Sequence, residues 1–279
     1  PRALQLPAPR RAPRPPRPTT GPGRRARATI LRVTFEAAGA EALQEQRRWP
    51  EHAATWEHPG LDVRSYSIAE GVAIVRSVVP GLVKRFLSFA EPVERADFLR
   101  YAILYRDGGV YADLDQELWD PDRLRALAAS GLLLLPVEVS EGRAYVAQSI
   151  LVSPPRHNFW LELMQHLART YRPWCSAPEN TGPQALTGFL ERSGGCHRWG
   201  PQGIAVAFDL MGSEAWCPKA SVVFHHLSGA WLGREMRELL ASRNFSTKER
   251  CGLFHSISPA IQGCVRSVDH ILGSARSGA

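Results

Sequence analysis

The sequence predicts an α/β fold in which a mostly parallel central sheet is flanked by helices. Short apolar strands alternate with helical stretches along the chain, the pattern that wraps helices around a parallel sheet. Of its 279 residues 44% are hydrophobic, enough for a large core in one big domain or two small ones. A short apolar strand after Gly108-Gly109 ends on a pair of acids, and ligands of such folds sit beyond the carboxyl ends of strands.

In order along the chain, Thr29 to Phe35 alternates as a first strand, and Ala37 to Trp56 has helical composition before the turn signal His58-Pro59-Gly60. Leu61 to Tyr66 is a second strand. Val72 to Phe89 reads as two short helices because Pro80-Gly81 interrupts it. From Val93 to Arg106 the spacing is helical, with Phe98, Ala102 and Tyr105 on one side and Asp97, Arg100 and Tyr101 on another. Gly108-Gly109 closes that helix, and Val110 to Asp113 forms a short buried strand. A helix over Asp122 to Ala129 and strands over Leu132 to Val137 and Tyr145 to Val152 follow. His157 to Tyr171 and Pro183 to Arg192 are helices, and Ile204 to Phe208 and Val222 to His226 are strands. No internal repeat is visible.

The acid pair, Asp113 and Asp115, flanks Leu114, so on an extended chain both carboxylates leave the same face. Two such carboxylates offer hard oxygen ligands to a divalent cation, and a cation so held can bridge a diphosphate. Upstream, Asp97 and Arg100 share a helix face; the bland alternative for them is a surface ion pair worth a few tenths of a kcal/mol.

The formal charge of +7 is concentrated at the start. Residues 1 to 28 hold eight arginines, eight prolines and no acid, and the remainder carries −1. The domain therefore lacks a basic stripe of its own, which argues against a nucleic-acid partner. The opening segment has the composition of a disordered linker or stem. Residue 1 is Pro, so the chain is expected to be cut or processed from a longer one, with membrane association through a lost upstream anchor. The most apolar runs, Val72 to Val83 and Leu132 to Val139, are interrupted or short of the roughly twenty residues a span needs. Five cysteines show no zinc-ligand spacing; they are either reduced core residues or, for Cys251 and Cys264, a disulfide in an oxidising lumen where Asn244-Phe245-Ser246 would be a glycosylation acceptor.

Arg95-Ala96-Asp97, Arg100-Tyr101, Gly108-Gly109-Val110-Tyr111 and Asp113-Leu114-Asp115 together resemble the central pattern of glycosyltransferase family 32, the DXD-motif sugar transferases that include inositol-phosphoceramide mannosyltransferases and yeast initiating α-1,6-mannosyltransferases. Weaker echoes follow in family order: Gln148-Ser149-Ile150 with His157-Asn158-Phe159-Trp160, then Thr181-Gly182-Pro183, then His225-His226-Leu227-Ser228-Gly229-Ala230-Trp231. Three positions depart. Arg32 and Phe35 stand where the family has histidine and tryptophan, and Ala230 replaces a serine.

The resemblance implies a GT-A type nucleotide-diphospho-sugar transferase domain over residues 29–240, between the 1–28 linker and a 241–279 extension. It implies Asp97, Arg100, Asp113 and Asp115 as catalytic residues. Phe35, Tyr101, Gly109, Tyr111 and Trp231 would join Asp97, Arg100 and Asp113 around the donor, and Mn²⁺ or Mg²⁺ would be held by Asp113, Asp115, His225 and His226. The expected partners are a nucleotide-sugar donor, GDP-mannose first and UDP-GlcNAc or UDP-Gal as the alternative, and a glycan or glycolipid acceptor. The Golgi lumen is the expected location, a bacterial cytoplasm the alternative. A degenerate, non-catalytic relative is the competing class. A phosphatase of the haloacid dehalogenase type also ends a strand with Asp-x-Asp, but on an early strand and without a residue like Glu117 two places on.

Overall fold

The computed structural model describes residues 27–34, 50–140, 143–213, 221–226 and 258–277. Its main sheet is built from β1 (Ala28–Thr34), β2 (Leu61–Ser67), β3 (Gly109–Ala112), β5 (Leu133–Ser140), β6 (Arg143–Val146), β7 (Ile150–Ser153), β8 (Ile204–Ala207) and β11 (Val265–Arg266). The strand order is β11-β8-β5-β7-β3-β1-β2, with β6 paired to β5 off this path. β2, β1 and β3 run parallel to one another, as do β5, β8 and β11, while β7 lies antiparallel between β3 and β5. A second sheet of β4 (Gln116–Leu118), β9 (Met211–Ser213) and β10 (Val223–His225) has the order β4-β10-β9. This mostly parallel sheet between helices is the arrangement that a GT-A type fold requires.

The described helices are α1 (Pro50–Thr55), α2 (Ile68–Val78), α3 (Val83–Leu87), α4 (Pro92–Asp107), α5 (Pro121–Ala128), α6 (Asn158–Thr170), α7 (Ala177–Asn180), α8 (Pro183–Arg192), α9 (Gly195–Trp199), α10 (Pro259–Gln262) and α11 (Val268–Ser277). The period of two along β1 decides which layer each side chain joins. Leu31 and Val33 enter the larger core with α2, α4, α6 and α8, whereas Ala28 and Ile30 enter the smaller one with Leu124 of α5 and Val268 of α11. α4 is packed between α2 and α6, and every residue from Ala96 to Leu104 is buried. A helix enclosed on all sides needs no polar face; the three polar residues in that run, Asp97, Arg100 and Tyr101, must therefore find partners inside.

Two glycines fix how α4 feeds β3. Gly108 and Gly109 have φ of +64° and +102°, and a Cβ on Gly109 would stand 2.6 Å from the carbonyl oxygen of Thr29 in β1. The pair ends the helix and lets two backbones approach where no side chain fits.

Several sequence expectations are corrected. The single strand expected over Tyr145 to Val152 is two, β6 and β7: their register on β5 changes between them (Val137 opposite Val146, Leu134 opposite Val152), and there the Gln148 carbonyl accepts from Arg100 (3.0 Å). The three-residue strands β4 and β9 were not expected. Cys264 is joined to Cys196, not to Cys251, which lies outside the described residues. Of the helix expected over Ala37 to Trp56, α1 is the part within the described residues. Residues 258–277, expected as an extension after the domain, add β11 at the edge of its main sheet and α11 on its smaller core. Among the described residues no helix is long and apolar enough to cross a membrane.

Candidate functional site

β3 delivers the acid pair, but not as an extended strand. Its ladder stops at Ala112, and Asp113 to Asp115 turn back into β4, closed by the Gln116 amide donating to the Asp113 carbonyl (3.3 Å). The two carboxylates are thus brought together by a tight turn instead of by strand alternation. Burial pushes the Asp113 carboxyl up, Arg100 opposes it and Asp115 adds to it. The Tyr111 hydroxyl donates to Asp113 Oδ1 (2.6 Å), and Arg100 Nη1 lies 3.3 Å from the same oxygen.

Behind the turn, α4 supplies a buried ion pair. Arg100 Nη2 donates to Asp97 Oδ1 (2.7 Å), with both side chains at most 5% exposed. The surface pair weighed as the alternative is excluded by that burial. Burial pushes the Asp97 carboxyl up to about 6 against the pull of Arg100. The Gln148 amide donates to Asp97 Oδ1 (2.8 Å) and the Thr181 hydroxyl to Oδ2 (2.8 Å). The weaker sequence echoes therefore converge: Gln148, Thr181 and Asp97 are one network, and Tyr101 closes it by bonding to Gln148 and to the Thr181 carbonyl. Trp160 stacks on the Tyr101 ring, and His157 caps α6 by accepting from the Phe159 amide. The Arg100 guanidinium also sits 4.6 Å from the Tyr111 ring centroid. Asp97 thus holds Arg100 in place, and Arg100 faces the acid pair.

β10 completes the front. His225 Nε2 is 3.5 Å from Asp115 Oδ2, and its Nδ1 is buried without a hydrogen-bond partner. Burial alone would lower this imidazole; Asp115, Glu138 and Asp113 instead hold it up at about 9. Glu138, on β5, is buried beside this cluster and pushed up by that burial. Three carboxylates in electrostatic range of one another draw positive charge to this spot. Carboxylate oxygens are the ligand type that a hard divalent cation takes.

The expected metal set is split. The His226 ring meets Glu117, with Nε2 3.0 Å from Glu117 Oε2, and its backbone amide donates to the Asp115 carbonyl (3.2 Å). Gly109 is remote, at the far end of β3, where it shapes the sheet. Phe35 and Trp231 lie outside the described residues.

Arg32, noted in the sequence only as a departure, belongs to the site. It is 5% exposed on β1, its guanidinium lies 5.0 Å from the Trp56 ring centroid, and its Nε and Nη2 have no hydrogen-bond partner. Burial lowers it to about 10, while Tyr111, Asp113 and Asp115 pull the other way. Glu138 was missed altogether; its signal was a lone acid inside an apolar run.

Residues 74–126, which contain α4, β3, the acid turn and β4, match the family model described as "Glycosyltransferase sugar-binding region containing DXD motif". Among curated proteins the chain is 31% identical over 134 residues to mannosyl phosphorylinositol ceramide synthase CSH1 of Saccharomyces cerevisiae, covering 45% of this chain and 33% of that one. It is 31% identical over 82 residues to the initiation-specific alpha-1,6-mannosyltransferase of Candida albicans, covering 28% and 21%. Among solved structures, the PaToxG glycosyltransferase overlaps 60% of this chain and 70% of its own at 9% identity and a TM-score of 0.40. The chain spans about a third of the length of the first curated relatives it matches, and through its sugar-binding region it is related to mannosyltransferases.

Proposed function

We propose that the protein is a metal-dependent glycosyltransferase that moves a hexose from a nucleotide-sugar, GDP-mannose in first place, to a glycan or glycolipid such as inositol phosphoceramide, with retention of anomeric configuration. One observation carries this reading: Asp113, Asp115 and His225 converge at the carboxyl end of β3 in front of a buried Arg100–Asp97 pair. The names of the relatives support mannose and a sphingolipid acceptor.

Asp113, Asp115 and His225 would hold Mn²⁺ or Mg²⁺, which when bound supplies Lewis-acid stabilisation to the departing diphosphate. The chain's own residues do the rest. Arg32 presents two unpaired donors beside the acid pair, where a phosphate oxygen would satisfy both. Arg100, locked by Asp97, Gln148 and Tyr111, orients Asp113 and places fixed positive charge behind it. The Cys196–Cys264 bond supports an oxidising compartment, of which the Golgi lumen is the one proposed.

The test is donor hydrolysis and transfer over GDP- and UDP-sugars, with Mn²⁺ and with chelator, for the wild type beside Asp115→Asn. Metal-dependent release of GDP from GDP-mannose, lost in the variant, is expected. Turnover of UDP-sugars alone would move the donor to UDP-GlcNAc or UDP-Gal, and silence with no nucleotide binding would overturn the assignment.

A further inference from the structure

Glu117 sits two residues beyond the acid pair and meets two imidazoles from distant parts of the chain, His52 of α1 and His226 just past β10. Its Oε2 is 3.0 Å from His226 Nε2 and 3.7 Å from His52 Nδ1. The two rings stack, with centroids 3.8 Å apart and planes inclined at 23°. One ligand atom from each residue lies within 4.8 Å of the other two, and the side chains are between 16% and 29% exposed.

These separations suit a shared ion. A tetrahedral zinc centre with bonds of about 2.0–2.2 Å sets neighbouring ligand atoms roughly 3.3–3.6 Å apart, and the two measured separations, 3.0 and 3.7 Å, straddle that value. The imidazole torsion at the ring is broad and soft, so each ring can swing to aim its lone pair. Two nitrogens and one carboxylate are a donor set for zinc; Mg²⁺ and Mn²⁺ prefer oxygen. Cysteine spacing gave no hint of this cluster because it contains no cysteine and two of its ligands are 109 positions apart.

We propose that His52, Glu117 and His226 form a second metal site, for zinc or an ion of its class, separate from the cation site of Asp113, Asp115 and His225. Its role is positional. It ties α1 and the end of β10 to β4, and His226 in turn holds the Asp115 carbonyl through its backbone amide. The ion would thus fasten the acid turn from below without touching the donor.

The experiment is zinc titration of the chelator-stripped full chain against a chromophoric competitor, with Co²⁺ substitution read by its visible spectrum. The proteins compared are wild type, His52→Ala, Glu117→Gln and Asp115→Asn, each checked for folding by circular dichroism before metal is added. The expected result is one tight zinc in the wild type and in Asp115→Asn, with a tetrahedral Co²⁺ spectrum. Loss of a ligand in His52→Ala or Glu117→Gln should weaken zinc more than the ten- to hundredfold that removing a supporting residue costs. Glu117→Gln, nearly isosteric, serves if His52→Ala does not fold. Unchanged affinity in both ligand variants, loss of zinc in Asp115→Asn alone, or no zinc in the wild type would each overturn the proposal. None of these depends on sugar transfer, so failure here leaves the donor panel to judge the enzyme separately.

Discussion

Arg32 and Asp97 are both buried charges, yet they differ in what they have found inside. Asp97 is saturated by Arg100, Gln148 and Thr181, whereas two nitrogens of Arg32 have nothing to donate to. Replacing Arg32 by Met should therefore weaken nucleoside diphosphate binding by roughly 10- to 100-fold, the loss of a charged hydrogen bond of about 1.5–3 kcal/mol, and leave the thermal midpoint nearly unmoved. Calorimetric titration with GDP beside a melting curve checks both halves; equal affinity in the variant would remove Arg32 from the donor site. Asp97 makes a different prediction. Its pKa is raised from 3.8 to about 6, so the folded chain keeps a proton that the unfolded chain has released across that window. The folded state binds more protons there, and this group's contribution to stability declines as pH rises from about 4 to about 6. The stability of wild type relative to Asp97→Asn, measured by urea unfolding at pH 4 and pH 7, should be greater at the lower pH.

At the scale of elements, the α4–Gly–Gly–β3 unit was the most legible part of the chain. Helical spacing, glycine punctuation and an apolar run agreed with one another, and local signals suffice when an element depends mainly on its own sequence. Gly109→Ala is predicted to cost on the order of 2–4 kcal/mol, from a left-handed backbone and a Cβ driven into the Thr29 carbonyl; urea denaturation measures it, and a loss below about 1 kcal/mol would mean the strands can part without cost. What the sequence hid were features set by partners far away. The break between β6 and β7 goes with a change of register on β5, where Arg100 claims the Gln148 carbonyl. β4 and β9 are three residues long and are defined only by pairing with β10. The acid pair was found from its residues, but its geometry was misjudged, since nothing local distinguishes a strand end from a turn at Leu114.

At the scale of the whole molecule, a covalent link among the described residues spans 68 positions, from Cys196 in α9 to Cys264 before β11. Closing a loop of that length stabilises by about 4 kcal/mol in the chain-entropy account. The Cys196→Ala/Cys264→Ala double variant should melt lower than wild type by the same amount that reductant lowers the wild type. A variant as stable as the oxidised protein would show the link to be dispensable. Removing residues 1–26 is expected to leave donor hydrolysis intact, because that Pro- and Arg-rich, acid-free stretch has a composition that cannot bury enough apolar surface to join a core. The pairing of Cys264 was beyond reach, since five cysteines admit many partners and only the folded sheet edge brings these two together.

The bond from the His226 amide to Asp115, together with the pairing of β4 to β10, means that the acid-pair motif rests on a strand made more than a hundred residues later. During synthesis the acid turn leaves the ribosome well before its support exists. A nascent chain ending ahead of Val223 would display every residue of the motif and still lack the third side of the site. The site is therefore completed late, when the final fifth of the chain arrives to fold beneath it.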